Sequence, residues 1–267
     1  MRDLKKIKLV SLAIMALMIL VGGCSGPVVS EQFSETYQVR SGTIIEIYNQ
    51  SGNVTITGWD QPTVEITALK ESQEGQEVLD KVDIIIDIAE KMIIRTSYLE
   101  EGLPVAVSFD LKVPEDVLIG IIEGLNGNIT IEGVTGNPQI TTSNGTVTVS
   151  GVNGLVSAFS SNGNIIVTGV KSLGDLITSN GNITAELPLL HENLDFKTSN
   201  GSISLALAAT LETDLEVRTS NGTISTGNLN IAATAQEQTL LDGTMNGGGY
   251  KISISTSNGS IELSALK

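Results

Sequence analysis

The sequence predicts an all-β protein built as a parallel β-solenoid, a stack of rungs each about 18–21 residues long. Three observations predict it. A polar corner, Thr-Ser-Asn-Gly, stands at Thr142–Gly145 and returns at Thr178–Gly181, Thr198–Gly201, Thr219–Gly222 and Thr256–Gly259, with Ser-Ser-Asn-Gly at Ser160–Gly163. Apolar residues keep fixed offsets from that corner. Composition agrees: 28 glycines and few aromatics stand among abundant Ile, Val, Leu and Thr, which suits strands in thin layers.

In chain order, the first segment is a leader. Arg2, Lys5, Lys6 and Lys8 precede thirteen residues, Leu9 to Val21, with Ser11 as the only polar member. That length fits the apolar region of a signal peptide and falls short of a membrane span. Val21-Gly22-Gly23-Cys24 ends on the only cysteine and is similar to the lipobox of prokaryotic lipoproteins. The resemblance implies cleavage before Cys24 and lipid on its sulfur. The expected organisation is a signal peptide over 1–23, a lipidated tether over 24–35 and one domain over 36–267, with no composition break inside it. The full chain has 15 basic and 30 acidic residues. Without the leader's four basic residues and Asp3, 11 face 29, a net charge of −18. Such a surface disfavours nucleic acid, which requires Lys and Arg against phosphate. It also repels anionic headgroups, leaving the lipid as the anchor.

Strand patterns follow at Thr43 to Tyr48, Asn53 to Thr57, Thr63 to Lys70, Val82 to Asp87, Lys91 to Thr96, Val105 to Val113 and Val117 to Ile122. The polar run from Glu71 reads as a loop or short helix. The regular region is then keyed on Asn126, Asn144, Asn162, Asn180, Asn200, Asn221 and Asn258, spaced by 18, 18, 18, 20, 21 and 37 residues. An earlier segment, Ser51-Gly-Asn-Val-Thr-Ile-Thr-Gly, matches the one from Asn126, about four periods downstream. Four residues before each Asn stand Ile122, Ile140, Ala158, Leu176, Phe196, Val217 and Ile254. Three after it stand Ile129, Val147, Ile165, Ile183, Ile203, Ile224 and Ile261. Each arm therefore has a period of two and one apolar face. The glycine after each Asn permits positive φ and hence a turn. The long last interval is expected to contain a looser excursion over Leu241–Ser255.

A meander of hairpins needs only alternating polarity. Repetition of side-chain identity argues instead for stacking, like over like, at about 4.8 Å. The asparagines are then expected to face inward and bond amide to amide, and the threonines hydroxyl to hydroxyl. These copies, with Gly42 to Ala68, Leu79 to Thr96 and Val107 to Val117, resemble the putative-adhesin family of exported proteins, the domain of unknown function 4097 type. The resemblance runs from about Thr36 to the C-terminus. It implies a right-handed parallel β-solenoid (β-helix-like), and implies little about activity.

Chemistry has few candidates. His191, the only histidine, lies in an insertion between rungs, and no His/Cys cluster suits zinc. Asp175, Asp195 and Glu216 stand five residues before their asparagines and would stack outward as weak calcium ligands, opposed by Lys197 and Arg218 two residues on. Trp59 reads as rung-end packing and Phe159 as an outward residue. Of eight glycosylation sequons, most arise from Asn-Gly-Thr or Asn-Gly-Ser in the corner, and only Asn49 is kept as a candidate. No cofactor is expected. The reading is a non-catalytic, membrane-anchored extracytoplasmic lipoprotein: an adhesin or structural scaffold offering an acidic surface to a surface protein or envelope polysaccharide. Self-association is open to it through exposed solenoid ends. The alternatives are a calcium- or carbohydrate-binding, lyase-like solenoid and an envelope-stress sensor or regulator.

Overall fold

The computed structural model describes residues 28–266. The expected leader and Cys24 lie outside the described residues. The N-terminal part contains β1 (Val29–Tyr37), β2 (Ile44–Ser51), β3 (Val54–Trp59), β4 (Val64–Ser72), the short helix α1 (Gln76–Leu79), β5 (Val82–Ile88), β6 (Lys91–Tyr98) and β7 (Ala106–Pro114). β2 to β7 match the alternating stretches of the sequence to within a few residues, whereas β1 has no counterpart among the expected strands. The polar run from Glu71 contains α1, whose Leu79 is buried.

The regular rungs are pairs of arms joined at Asn-Gly: β8 (Leu118–Asn126) with β9 (Ile129–Glu132), β10 (Thr135–Asn144) with β11 (Val147–Ser150), and β12 (Leu155–Asn162) with β13 (Ile165–Thr168). β14 (Ser172–Asn180) with β15 (Ile183–Leu187), β16 (Leu194–Asn200) with β17 (Ile203–Leu207), and β18 (Thr213–Asn221) with β19 (Ile224–Ser225) continue the series. A hairpin, β20 (Ala232–Glu237) and β21 (Leu240–Met245), precedes the last pair, β22 (Tyr250–Asn258) and β23 (Ile261–Ala265).

All long arms lie in one sheet of 12 strands and all short arms in one of 11. Neighbouring arms run parallel with equivalent residues aligned, for example Ile140 with Ala158 and Ala158 with Leu176. The core is the space between the sheets. The column Ile122, Ile140, Ala158, Leu176, Phe196, Ile254 and Val217 is buried from one side, and Ile129, Val147, Ile165, Ile183, Ile203 and Ile261 from the other. Because each rung contributes only one side-chain layer, burial is spread along the stack and few aromatics are needed.

Spatial order departs from chain order at both ends. β22 pairs with β16 on one side and β18 on the other, and β23 sits between β17 and β19. The last rung in sequence therefore fills a slot between two earlier ones. The connection over residues 208–212 steps past that slot, about two rung spacings, which five residues reach easily. The excursion expected over Leu241–Ser255 is corrected: Leu241–Met245 lies in β21 and Tyr250–Ser255 in the regular arm β22, and the extra length of the interval is taken up by the β20–β21 hairpin and the turn that leads into the slot. At the other end β2 lies between β6 and β8, and β3 between β7 and β9. Ser51 consequently pairs directly with Asn126. The two matching segments are neighbours in space, and the strands between them in sequence lie elsewhere.

Three of the four sheet ends are covered by antiparallel strands, β5 on β6, β4 and then β1 beyond β7, and β21 with β20 on β18, and the fourth ends at β19. β1 begins at Val29, so the expected tether is folded from that residue onward. Its alternating Val29, Phe33 and Tyr37 pack against the core edge.

Candidate functional site

The repeated corner is the candidate that the sequence singles out. Asn144 Nδ2 donates to Asn126 Oδ1 at 2.7 Å, Asn162 to Asn144 at 2.9 Å, Asn180 to Asn162 at 2.8 Å and Asn200 to Asn180 at 2.8 Å. Asn258 then donates to Asn200 at 2.8 Å, and Asn221 to Asn258 at 3.0 Å. All seven stand in one ladder, in spatial rather than chain order. Contrary to expectation the ladder is exposed at the corner and does not face the core. Parity alone would carry the inward face from four and two residues before the Asn onto the Asn itself; each long arm ends at that residue, and the turn at Asn-Gly leaves its side chain at the exposed rim.

The threonines two residues earlier are buried, and they do not bond to one another. Thr178 Oγ1 donates to the Gly163 carbonyl at 3.0 Å, Thr198 to Gly181 at 2.9 Å, Thr256 to Gly201 at 2.8 Å and Thr219 to Gly259 at 2.8 Å. Each hydroxyl thus satisfies a corner carbonyl of the adjacent rung. Glycine is required by the same proximity. A Cβ on Gly127, Gly145, Gly163, Gly181, Gly201, Gly222 or Gly259 would lie well inside 3.0 Å of a carbonyl oxygen on the neighbouring rung. Gly163, Gly181 and Gly222 are outside the left-handed region, so close approach, rather than positive φ, is the common requirement.

Sequence reasoning missed a second ladder two residues after the Asn. Asn53 Oδ1 accepts from the Asn128 amide and Asn128 Oδ1 from Thr146, both at 2.9 Å. Asn164 Oδ1 accepts from Asn182 and Asn182 Oδ1 from Ser202, both at 2.8 Å. The signal was legible in the recurring Asn-Gly-Asn.

The carboxylates are arranged differently from the expected column. Asp175 and Asp195 are on adjacent arms, and Asp175 Oδ1 accepts the Asp195 amide at 2.9 Å. Glu216 is not on the next rung, because Ser253 of the inserted β22 stands between Asp195 and Glu216. Glu216 pairs with Lys251 and, at 3.5 Å, with Arg218. Arg218 reaches across to Asp242 of the hairpin with two bonds, at 2.7 and 2.9 Å. These bonds hold the Asp242 carboxyl below its ordinary range and raise the Arg218 guanidinium. The Glu216 carboxylate likewise raises Lys251. The group borders an open cleft of about 380 Å³, where acids and bases already satisfy each other. No cluster of three or more His, Cys, Asp or Glu side chains suited to a metal occurs among the described residues.

The remaining candidates are structural. Trp59 Nε1 donates to the Thr63 carbonyl at 2.7 Å, and Lys112 lies 5.4 Å from its ring centre, a rung-end packing arrangement. Phe159 faces outward as expected. His191 is exposed in the loop 188–193. Asn49, expected to be the accessible sequon, is buried, and its Nδ2 donates to the Gly52 and Val107 carbonyls at 3.1 and 2.9 Å. No helix among the described residues is long and apolar enough to cross a membrane.

No curated protein matches the chain significantly. Among solved structures, one from Clostridium sporogenes described as a putative cell adhesion protein shares 11% identity at TM-score 0.35, covering 88% of this chain and 100% of its own. A putative adhesin from Bacteroides fragilis shares 14% identity at TM-score 0.40, covering 87% of this chain and 97% of its own. A putative lipid binding protein from Parabacteroides distasonis shares 14% at TM-score 0.39, covering 88% and 97%. The model of one family spans residues 44–264, from the first rung to the last, and the chain accordingly belongs to the Toastrack DUF4097 family.

Proposed function

We propose that the protein is a non-catalytic, extracytoplasmic lipoprotein, anchored through Cys24, that displays the solenoid flank as an acidic scaffold for a surface protein or an envelope polymer. The observation that carries this reading is the use of the repeated polar groups. Ladder amides, corner glycines and four of the five corner threonines are engaged in holding rung to rung, Thr142 being buried without a partner, so the motif serves assembly rather than chemistry. What remains for a partner is the outer surface, on a mature chain with a net charge of −18. An acidic flank raises the local concentration of cationic partners and is screened by salt.

The test has two arms. Metabolic labelling with a fatty-acid analogue should mark the wild type and not Cys24→Ala, and the variant should leave the membrane fraction. Retention of cationic envelope components on the immobilised mature domain should fall steeply with salt. Membrane association that survives Cys24→Ala would remove the anchor. Salt-independent retention would remove the acidic scaffold.

A further inference from the structure

The ladder asparagines are alike in sequence, each followed by glycine, but the stack holds them unequally. In six rungs the glycine amide donates to the Asn carbonyl of the next rung: Gly127 to Asn144, Gly145 to Asn162, Gly163 to Asn180, Gly181 to Asn200, Gly201 to Asn258 and Gly259 to Asn221, at 2.8–3.0 Å. Gly222 belongs to the outermost rung, and its amide has no acceptor among the described residues. The side chains follow the same pattern. Asn144, Asn162, Asn180, Asn200 and Asn258 each donate to one neighbour and accept from another. Asn221 Nδ2 donates to Asn258 Oδ1 and, at 3.4 Å, to the Ser257 carbonyl, while its own Oδ1 accepts nothing. The capping hairpin does not close the corner. Its tip accepts from the Thr219 amide through Thr239 and from the Ile224 amide through Gln238, on either side of an exposed Asn221.

We propose that Asn221 is a self-modification site, the ladder asparagine that converts to aspartate and isoaspartate. The backbone nitrogen of Gly222, giving its proton to solvent base, attacks Asn221 Cγ. The N–Cγ bond forms, the Cγ–Nδ2 bond breaks, and Nδ2 leaves as ammonia after protonation. The resulting cyclic imide takes up one water. Opening at Cγ returns the ordinary backbone with an aspartate side chain, and opening at the main-chain carbonyl gives isoaspartate. No oxidant or reductant enters. Glycine favours the attack because it carries no Cβ to obstruct ring closure. In the interior the attacking amide must first abandon its bond to the next rung, and the side chain must leave two partners. At Asn221 the amide is already free and one side-chain bond is absent. The product carboxylate can no longer donate to Asn258 Oδ1 or the Ser257 carbonyl. It also sets a negative charge against two acceptor oxygens, which loosens the outermost rung.

The test is time-resolved peptide mapping of the full mature chain at mildly alkaline pH, folded and in urea. The folded protein should convert Asn221 roughly tenfold faster than Asn200 and Asn258, the ratio that about one net hydrogen bond supports. In urea the three rates should converge. Three outcomes would overturn the proposal: Asn200 or Asn258 keeping pace in the folded protein, Asn221 remaining intact while the urea sample converts, or the same ranking persisting in urea. The segment between Arg218 and Lys251 also holds Asn246, so fragment spectra must assign the converted residue.

Discussion

A methyl group on Gly163 would lie well inside 3.0 Å of the Gly145 carbonyl oxygen, and no flexible side chain is there to yield. Gly163→Ala must therefore spread two rungs or shift the corner. It should cost several kcal/mol, on the scale of about 1–3 kcal/mol or more for overpacking. Gly169→Ala is the control: its φ of +60° is strained for alanine, but its nearest neighbour atom is 3.5 Å away, so about 1–2 kcal/mol is expected. Equal losses for the two in urea unfolding would contradict the close-approach account. Asn162→Ala removes one donated and one accepted amide bond in mid-ladder. The site is exposed, so water recovers part of the loss, and about 1–2 kcal/mol is expected. The urea midpoint should fall with an unchanged slope. The repetition of Asn, Gly and Thr was legible in the sequence because each forms the same contact in every rung. Their direction was not legible: Asn144 at an exposed corner and Thr178 at a buried carbonyl have the same repeat period.

At the level of elements, the last rung has partners on both sides although it ends the chain. Truncation after Met245 removes β22 and β23, uncovers Phe196 and Val217, and interrupts the ladder between Asn200 and Asn221. Removing β1, of the same length as β22, strips a strand with one partner. The C-terminal truncation should abolish cooperative thermal unfolding, whereas loss of β1 should lower the midpoint and leave the transition intact. A milder effect from the C-terminal cut would count against the slot. The capping hairpin depends in part on Arg218 and Asp242. Asp242 has a folded value below its ordinary 3.8, so its contribution is present above that pH and is lost as pH falls through the lowered value. Hydrogen exchange in β20 and β21 should therefore quicken on acidification before the central rungs respond. Asp242→Asn should remove that acid step.

Across the whole molecule, a parallel stack leaves two open ends, and unpaired backbone there invites association. Here antiparallel strands cover both ends of the long-arm sheet and the N-terminal end of the short-arm sheet, leaving β19 as an edge, and acids stand on the outer ones: Glu31 and Glu35 on β1, Asp83 and Asp87 on β5, and Glu237 on β20. Asp83 and Asp87 are exposed. Asp83→Val with Asp87→Val should raise concentration-dependent association above that of the wild type by light scattering. A variant that associates no more than the wild type would assign the protection to the antiparallel cover alone.

From residue pattern alone came the solenoid, the rung length and the core columns, since periodicity and side-chain identity are local properties copied at each turn. Even the kinship of Ser51–Gly58 with the Asn126 rung was visible. Adjacency could not be read that way. Nothing local distinguishes a rung that stacks on its sequence neighbour from one that enters a slot, because every rung presents the same edge. The placement of β2 against β8 and of β22 between β16 and β18, the interruption of the Asp175–Asp195–Glu216 column by Ser253, and the open end at Asn221 were decided by long-range pairing. With β22 and β23 in the slot, β18 and β19 become the outermost rung, and the β20–β21 hairpin then covers the β18 edge.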